Sequence, residues 1–429
     1  MNNVTNEKFK MKYTLATNFD TNLIEGIKSI DKDNSIKSVY GKLKSDIVGG
    51  GRSAMLLPEL SMNDLENYIQ LCHQNNLKFN YLLNPVCMGN KEFVKDSHNQ
   101  IISLIDSLVT SGIDAVTINS PYLCEVIKKQ FPKLKVSIGA GGYITEMQHV
   151  KFWEELGADE LTLQHNVNRN FNMLENMLNY TKKSGISLRL IANNVCLHGC
   201  PYRIAHGTGQ SHASKQNESS QKFHLDYHII KCTLDKIKNP AELIAAEWIR
   251  PEDVKYYEQL CEKTGNYNLF IKLVDRTKTT DFLLRVISAY LSQSYAGSLL
   301  DLLLWPSLKE FAQVNKAMGE AVATLDAQSM ENLGRYFGVF KLLPDVYVDN
   351  KKLDGFIEKF ISKYDCCDKV CDQAVVPNHQ NTADNDPSKC SYCRNWAEKA
   401  ISFDRQQIED WVNNSRELIN DMCESKFFR

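Results

Sequence analysis

The sequence predicts an α/β fold, a (β/α)8 TIM-like barrel followed by a helical, cysteine-rich C-terminal extension. Three observations carry this. Short apolar runs alternate with helix-length amphipathic segments along the first two thirds of the chain. Four helix-to-strand junctions share one pattern: TSGIDAVTI (110–118), ELGADELTL (155–163), KSGISLRLI (183–191) and KTGNYNLFI (263–271). The strand-like runs number eight, the number that closes a barrel. In each junction a glycine stands where a helix C-terminus takes a left-handed residue, and a strand follows. That rhythm belongs to repeated βα units and a parallel sheet.

The strands are expected at Tyr13–Thr17, Ile36–Tyr40, Lys78–Leu83, Ala115–Ile118, Lys135–Ile138, Glu160–Leu163, Ser187–Ala192 and Leu269–Leu273, with a further short one at Ala245–Ile249. A helix over 62–74 has Ser61 as N-cap and Asp64 as its capping-box partner. Another opens at Ser120-Pro121, with proline in the first helical position. The polar run Gly207–Gln221 reads as a lid loop over one end of the barrel. After about Leu304 the alternation stops, so the barrel is assigned to 1–304 and the extension to 305–429. The extension reads as helices at Pro306–Met318, Ala327–Phe337, Leu353–Tyr364 and Trp396–Glu424, with a cysteine-rich loop over 365–393.

The chain has 429 residues, 43% of them apolar, enough to bury a large core. Lys and Arg (50) nearly balance Asp and Glu (52), which disfavours a nucleic-acid binder. Met1–Lys12 has no apolar stretch of the signal-peptide kind. The densest apolar run, Leu299–Trp305, is too short to cross a bilayer. A cytoplasmic protein with no membrane association is expected. Thirteen cysteines, an odd number, in a reducing compartment point to metal ligation or catalysis rather than to disulfides.

The cysteines form two groups. Cys87 follows the third strand in NPVCMGN, Cys196 and Cys200 follow the seventh in NNVCLHGCPYR, and Cys232 lies in YHIIKCT beyond the polar run. Residues past the C-terminal ends of barrel strands converge on one face. Four thiolates there suit a [4Fe–4S] cluster or zinc. The alternative is that Cys87 and Cys232 are small buried apolar residues. The second group is Cys366, Cys367, Cys371, Cys390 and Cys393, a Cys-x3-Cys then Cys-x2-Cys arrangement with the spacing of a metal knuckle. Cys367, Cys371, Cys390 and Cys393 are its expected ligands, for zinc or a second cluster. Cys72, Cys124, Cys261 and Cys423 read as packing.

Other side chains expected on the same rim are Asn84, Asn193, Asn194, His198 and His206, with His198 and Asn193 as candidate catalytic groups. Gly49-Gly50-Gly51-Arg52 suits an anion, with backbone N–H groups from the glycines and a bidentate fork from Arg52. Arg203, Arg250 and Arg276 stand where a small acidic ligand could be held, Arg276 as a candidate catalytic residue and Arg52, Arg203 and Arg250 as binding residues. No G-x-S-x-G and no H-E-x-x-H occurs.

At Cys196–Cys200, and in IRPEDVKYYEQL (249–260) and NLFIKLVDRTKTTDFLLRVISAY (268–290), the sequence resembles the collagenase-like U32-type peptidases of unknown catalytic mechanism. The resemblance implies a TIM-like barrel and, from the better understood members, a four-cysteine [4Fe–4S] cluster. Those members serve oxygen-independent hydroxylation of ubiquinone precursors or RNA bases, with prephenate as implied oxygen source, and related ones act in pairs. Here LRLIANNVC replaces the family's Glu-x-Phe motif, and Val274-Asp275-Arg276 replaces its Glu-Gly-Arg. The expectation is an iron–sulfur redox enzyme acting on a small molecule, peptide or RNA, with a possible protein partner of the same family. A peptidase and a non-catalytic iron–sulfur scaffold are the alternatives.

Overall fold

The structure is a computed structural model that describes residues 9–215, 224–313, 315–316, 319, 326–362, 370–371 and 389–428. Eight parallel strands close into a barrel: β1 (Lys12–Ala16), β2 (Ile36–Gly41), β3 (Lys78–Leu83), β4 (Ala115–Ile118), β5 (Lys135–Ile138), β6 (Glu160–Thr162), β7 (Ser187–Ile191) and β8 (Leu269–Leu273). Each pairs with the next, and β8 pairs with β1, setting Leu15 opposite Leu273. All eight lie within one residue of their expected bounds. The ninth expected strand does not form. Residues Ala241–Ala245 are a short helix, and the extended backbone after it makes one ladder-like bond, Ile249 N–H to Ala192 C=O at 2.9 Å. The reason is closure: β7 and β8 already pair with each other, so the barrel offers no free edge.

The helices α1 (Thr21–Ile30), α2 (Met62–Gln74), α3 (Lys95–Thr110), α4 (Pro121–Gln130), α5 (Met147–Glu155) and α6 (Phe171–Ser184) follow β1 to β6 in turn. Ser61 and Asp64 form the capping box of α2, and Ser120 caps α4 with Pro121 in its first turn. The four junction glycines, Gly112, Gly157, Gly185 and Gly265, have φ of +90°, +87°, +75° and +61°. Gly185 ends α6 in the left-handed region that a side chain would strain.

The first part of the polar run expected as a loop, 207–213, is the end of a helix, α7 (Arg203–Ala213). Its polar residues serve the barrel loops rather than solvent. Ser211 Oγ accepts from Val86 N–H at 2.8 Å, Gln210 Oε1 from Ser53 N–H at 2.8 Å, and Ser214 Oγ from Gly50 N–H at 2.7 Å. Residues 216–221 of that run lie outside the described residues. Beyond it come α8 (Tyr227–Lys238), α9 (Ala241–Ala245), α10 (Val254–Thr264) and α11 (Thr280–Ser292).

The extension departs from its expected helices. One continuous helix over 396–424 is instead two, Tyr392–Ala400 and Arg405–Cys423, separated by the strand Ile401–Phe403. That strand pairs antiparallel with Val346–Val348, and Asp404 caps the second helix through Gln407 N–H. The helix expected at 353–364 is broken by Gly355 (φ +90°) and resumes at Glu358–Ser362. In the run expected as a helix over 306–318, Leu308–Glu310 form a 3-10 turn. The helix expected at 327–337 forms and runs on to Lys341. A second apolar cluster joins the two parts, drawing Ile230, Trp248 and Leu299 together with Tyr336, Phe356 and Trp411.

Candidate functional site

The strand ends are wired together by amides. Asn193, fully buried past β7, accepts from Val274 N–H at 2.8 Å and donates to the carbonyls of Val274 and Leu302, the latter at 3.2 Å. Its side chain is thus committed to holding the end of β8. Asn194 accepts from Cys196 N–H at 3.1 Å and meets His165 Nε2. Burial first, then the charges of Arg203 and Arg52, push the His165 imidazole down to about 3, so it stays neutral. Asn119 Nδ2 donates to Asn84 C=O at 2.7 Å.

Of the four rim cysteines, Cys196 and Cys200 lie in the loop after β7 and Cys232 lies on α8. Burial raises the Cys200 thiol, and the neighbouring Cys196 and Cys232 add to the rise. Burial raises Cys232 too, against Lys236, whose Nζ donates to its Sγ at 3.5 Å while Sγ–H donates to Ile229 C=O at 3.5 Å. These three thiols therefore act on one another electrostatically. Cys87, in the loop after β3, is half-buried. Among the described residues no group of three or more His, Cys, Asp or Glu side chains is arranged to hold a metal ion.

In the second cysteine group, Cys371 and Cys390 sit directly opposite each other where Val370–Cys371 pairs in parallel with Lys389–Cys390. Cys393 is half-buried in the first turn of the helix Tyr392–Ala400. Cys366 and Cys367 lie outside the described residues.

His198, between the two loop cysteines, has Nδ1 2.7 Å from Glu247 Oε1, a carboxylate only 4% exposed. Burial raises the nearby Glu242 carboxyl to about 7, against the charge of His198. His206 on α7 points to a different acid. Its Nε2 is 2.9 Å from Asp226 Oδ2, with His224 at 3.8 Å and Gln210 Nε2 donating to the same oxygen at 2.6 Å.

The basic residues separate into three kinds. Arg250 is committed to structure: it grips Asp253 twice, at 2.9 and 2.8 Å, and reaches Asn350 C=O at 2.7 Å and Asp354 at 2.9 Å. It joins the barrel to the extension with four of its five donors. Arg52, partly exposed, donates through Nε to Asp275 at 2.7 Å and through Nη1 to Gly51 C=O at 2.9 Å, while Arg203 holds Gln164. Arg276 is buried with Nε, Nη1 and Nη2 all lacking a hydrogen-bond partner among the described residues. The glycine loop is no open anion nest, since Gly49 N–H is taken by Asp46 at 2.7 Å and Gly50 N–H by Ser214.

Sequence reasoning missed Glu247, Asp226, the buried pair Lys42–Asp46 (2.7 Å) and Lys272, which lies with its ammonium 4.3 Å from the centroid of the Tyr40 ring. None sits in a motif. The signal for Lys42 and Lys272 was a charge at or just past the end of an inward strand.

Residues 50–199 match the family model described as Peptidase family U32. The chain is U32-like. The matched span runs from the loop after β2 to the loop after β7, and includes Cys87 and Cys196. The U32-like chain is 26% identical over 382 residues to an uncharacterized protease of Methanocaldococcus jannaschii, covering 87% of this chain and 94% of that protein. Among solved structures, the U32 peptidase Mk0906 aligns with a TM-score of 0.44 and 17% identity over 64% of this chain and 99% of its own. The endo-beta-1,4-mannanase from Thermotoga petrophila aligns with a TM-score of 0.30 and 12% identity, over 44% of this chain and 61% of its own.

Proposed function

We propose that the U32-like chain is an enzyme working at the C-terminal mouth of its barrel, with Cys87, Cys196, Cys200 and Cys232 as ligands of a [4Fe–4S] cluster. The proposed reaction is a redox-type modification, oxygen-independent hydroxylation or a relative, of a small molecule, peptide or RNA. What supports it is that Cys196 and Cys200 share the loop after β7 and that Cys232, on α8, acts on the Cys200 thiol. The donor chemistry fits a thiolate-held cluster. The set reaches four only with Cys87, and binding requires the Cys232 thiol to leave Ile229 and Lys236. A cluster held there supplies electron transfer.

The chain's own residues supply the rest. His198, oriented through Nδ1 by Glu247, holds a proton at the rim. Arg52 and Arg203 bind the acidic group of a co-substrate, for which the resemblance implies prephenate. Asn193 keeps the β7 and β8 ends in register. A second metal, zinc or another cluster, is proposed at Cys367, Cys371, Cys390 and Cys393.

Anaerobic purification followed by iron and sulfide analysis tests the reading. A brown protein with about four iron and four sulfide per chain is expected, falling sharply in Cys196→Ala. A colourless protein, or one whose iron is unchanged in Cys196→Ala, sinks the rim cluster. The His198–Glu247 pair, a base with its orienting carboxylate, favours a peptidase as the second reading. Peptide cleavage that survives metal removal and disappears in His198→Ala would establish it. A cluster-bearing protein inert toward every substrate class leaves the scaffold role, with a partner of the same family.

A further inference from the structure

Arg276 follows β8 and is buried, yet none of its guanidinium nitrogens meets an acceptor among the described residues. A guanidinium presents five donors and keeps its charge, so leaving it dry and unpaired is strongly unfavourable. The acids around it are already taken. Asp275 is held by Arg52 at 2.7 Å, Asp46 by Lys42 at 2.7 Å, and Glu160 by Arg189 at 2.5 Å. Lys278 is served by Trp305 C=O at 3.2 Å and by the Phe311 ring, 3.9 Å away.

Lys272 is different. It makes no ion pair among the described residues, only the approach to Tyr40, and the charge of Arg276 acts on it. The barrel mouth therefore carries two basic side chains, Arg276 and Lys272, that no carboxylate contacts among the described residues. The glycine loop passes close to Arg276. A Cβ at Gly50 would come 3.3 Å from Arg276 Nη2 and 2.9 Å from Lys42 Cδ.

We propose that Arg276, with Lys272 behind it, seats a phosphate group inside the barrel mouth, as free phosphate or as the phosphate end of a phosphorylated ligand. Three points carry this. Two basic side chains with no carboxylate in contact among the described residues suit a dianionic group better than a singly charged carboxylate. The guanidinium fork matches phosphate oxygens two at a time. The loops after strands seven and eight are where barrels commonly hold phosphate. The seat goes beyond the rim-cluster reading and does not need it.

The test is titration of the full chain with inorganic phosphate, read by calorimetry and by phosphorus NMR line width. Acetate, sulfate and chloride serve as controls at constant ionic strength. Saturable phosphate binding is expected, weakened about tenfold or more in Arg276→Gln and less in Lys272→Met. Arg276→Lys keeps the charge without the fork and is expected to fall between wild type and Arg276→Gln, so it guards against a single variant that misfolds. Tighter binding of glycerol phosphate than of inorganic phosphate assigns a phosphorylated ligand, and the reverse assigns free phosphate. Both support the seat. No saturable phosphate binding by wild type, unchanged affinity in Arg276→Gln, or acetate binding as tightly as phosphate overturns it. Iron measured in the same samples separates the two readings, because Arg276→Gln is expected to lose phosphate and keep iron.

Discussion

The guanidinium of Arg169 lies 4.4 Å over the ring of Trp248 and donates to the carbonyls of Ile244 (3.1 Å), Ala246 (2.5 Å) and Trp248 (3.2 Å). One side chain thus fixes the backbone on both sides of Glu247, whose own carbonyl accepts from Asn168 at 2.6 Å. The position of the carboxylate that orients His198 is set from the barrel wall. Arg169→Ala is expected to cost about 3–5 kcal/mol, because it strands several buried carbonyls. Arg169→Lys keeps the charge without the fork or the stack and is expected to cost about 1–3 kcal/mol. Urea unfolding measures both. A loss within about 0.5 kcal/mol for Arg169→Ala would show that the clamp carries no weight.

Asp226 makes a pH-dependent contribution. Burial pushes its carboxyl up, but hydrogen bonds and charge from His206 and His224 outweigh burial and hold it below the ordinary 3.8. A carboxylate whose folded pKa is depressed stabilises above its unfolded value and loses that contribution as pH falls. Asp226→Asn is therefore expected to destabilise the protein at pH 7, with the gap to wild type narrowing below pH 3.8. Urea midpoints across the acid range check it; a constant gap contradicts it.

Lys272 works in the opposite sense. Burial, then Arg189, lowers its ammonium from 10.5 to about 7. Between those values the unfolded chain holds a proton that the folded chain gives up, so stability rises with pH there and the penalty is complete below 7. In phosphate-free buffer Lys272→Met is expected to stabilise the protein by about 1–4 kcal/mol near neutral pH. The gain should vanish as pH approaches 10.5. A gain that ignores pH would mean that packing, not charge, is responsible.

The C-terminal cysteines are expected to bind metal. Removing it with a chelator should lower the thermal midpoint and release about one zinc, or the iron of a second cluster, per chain. Cys390→Ser and Cys393→Ser should each reproduce the loss, while Cys423→Ser leaves it intact. Metal content that is equal in all three variants counts against the knuckle.

The barrel was legible because closure and burial act on local pattern. Each β-strand is a short apolar run, and Gly112, Gly157, Gly185 and Gly265 mark junctions where only a left-handed residue fits. Polarity misled at α7, where Gln210, Ser211 and Ser214 bond to barrel loops rather than to water. The strand at Ile401–Phe403 was hidden because its partner lies about fifty residues upstream, at Val346–Val348. At the candidate site, cysteines announce themselves by spacing, so Cys196 and Cys200 stand out in the sequence. Charges in a barrel mouth carry no spacing. Arg250 and Arg276 look alike in sequence; only the neighbours Asp253 and Asn350 distinguish a strut from an unsatisfied cation.

The shared apolar cluster has a consequence for the order in which the protein is made. Translation delivers β8 long before Trp411, yet Ile230, Trp248 and Leu299 find their cover in Tyr336, Phe356 and Trp411. A nascent chain can close its barrel and still show an apolar flank to the cell until the final helix emerges. The interval between closure and covering is when this protein is most exposed to aggregation and to chaperone capture, and a cut after Leu304 would make that interval permanent.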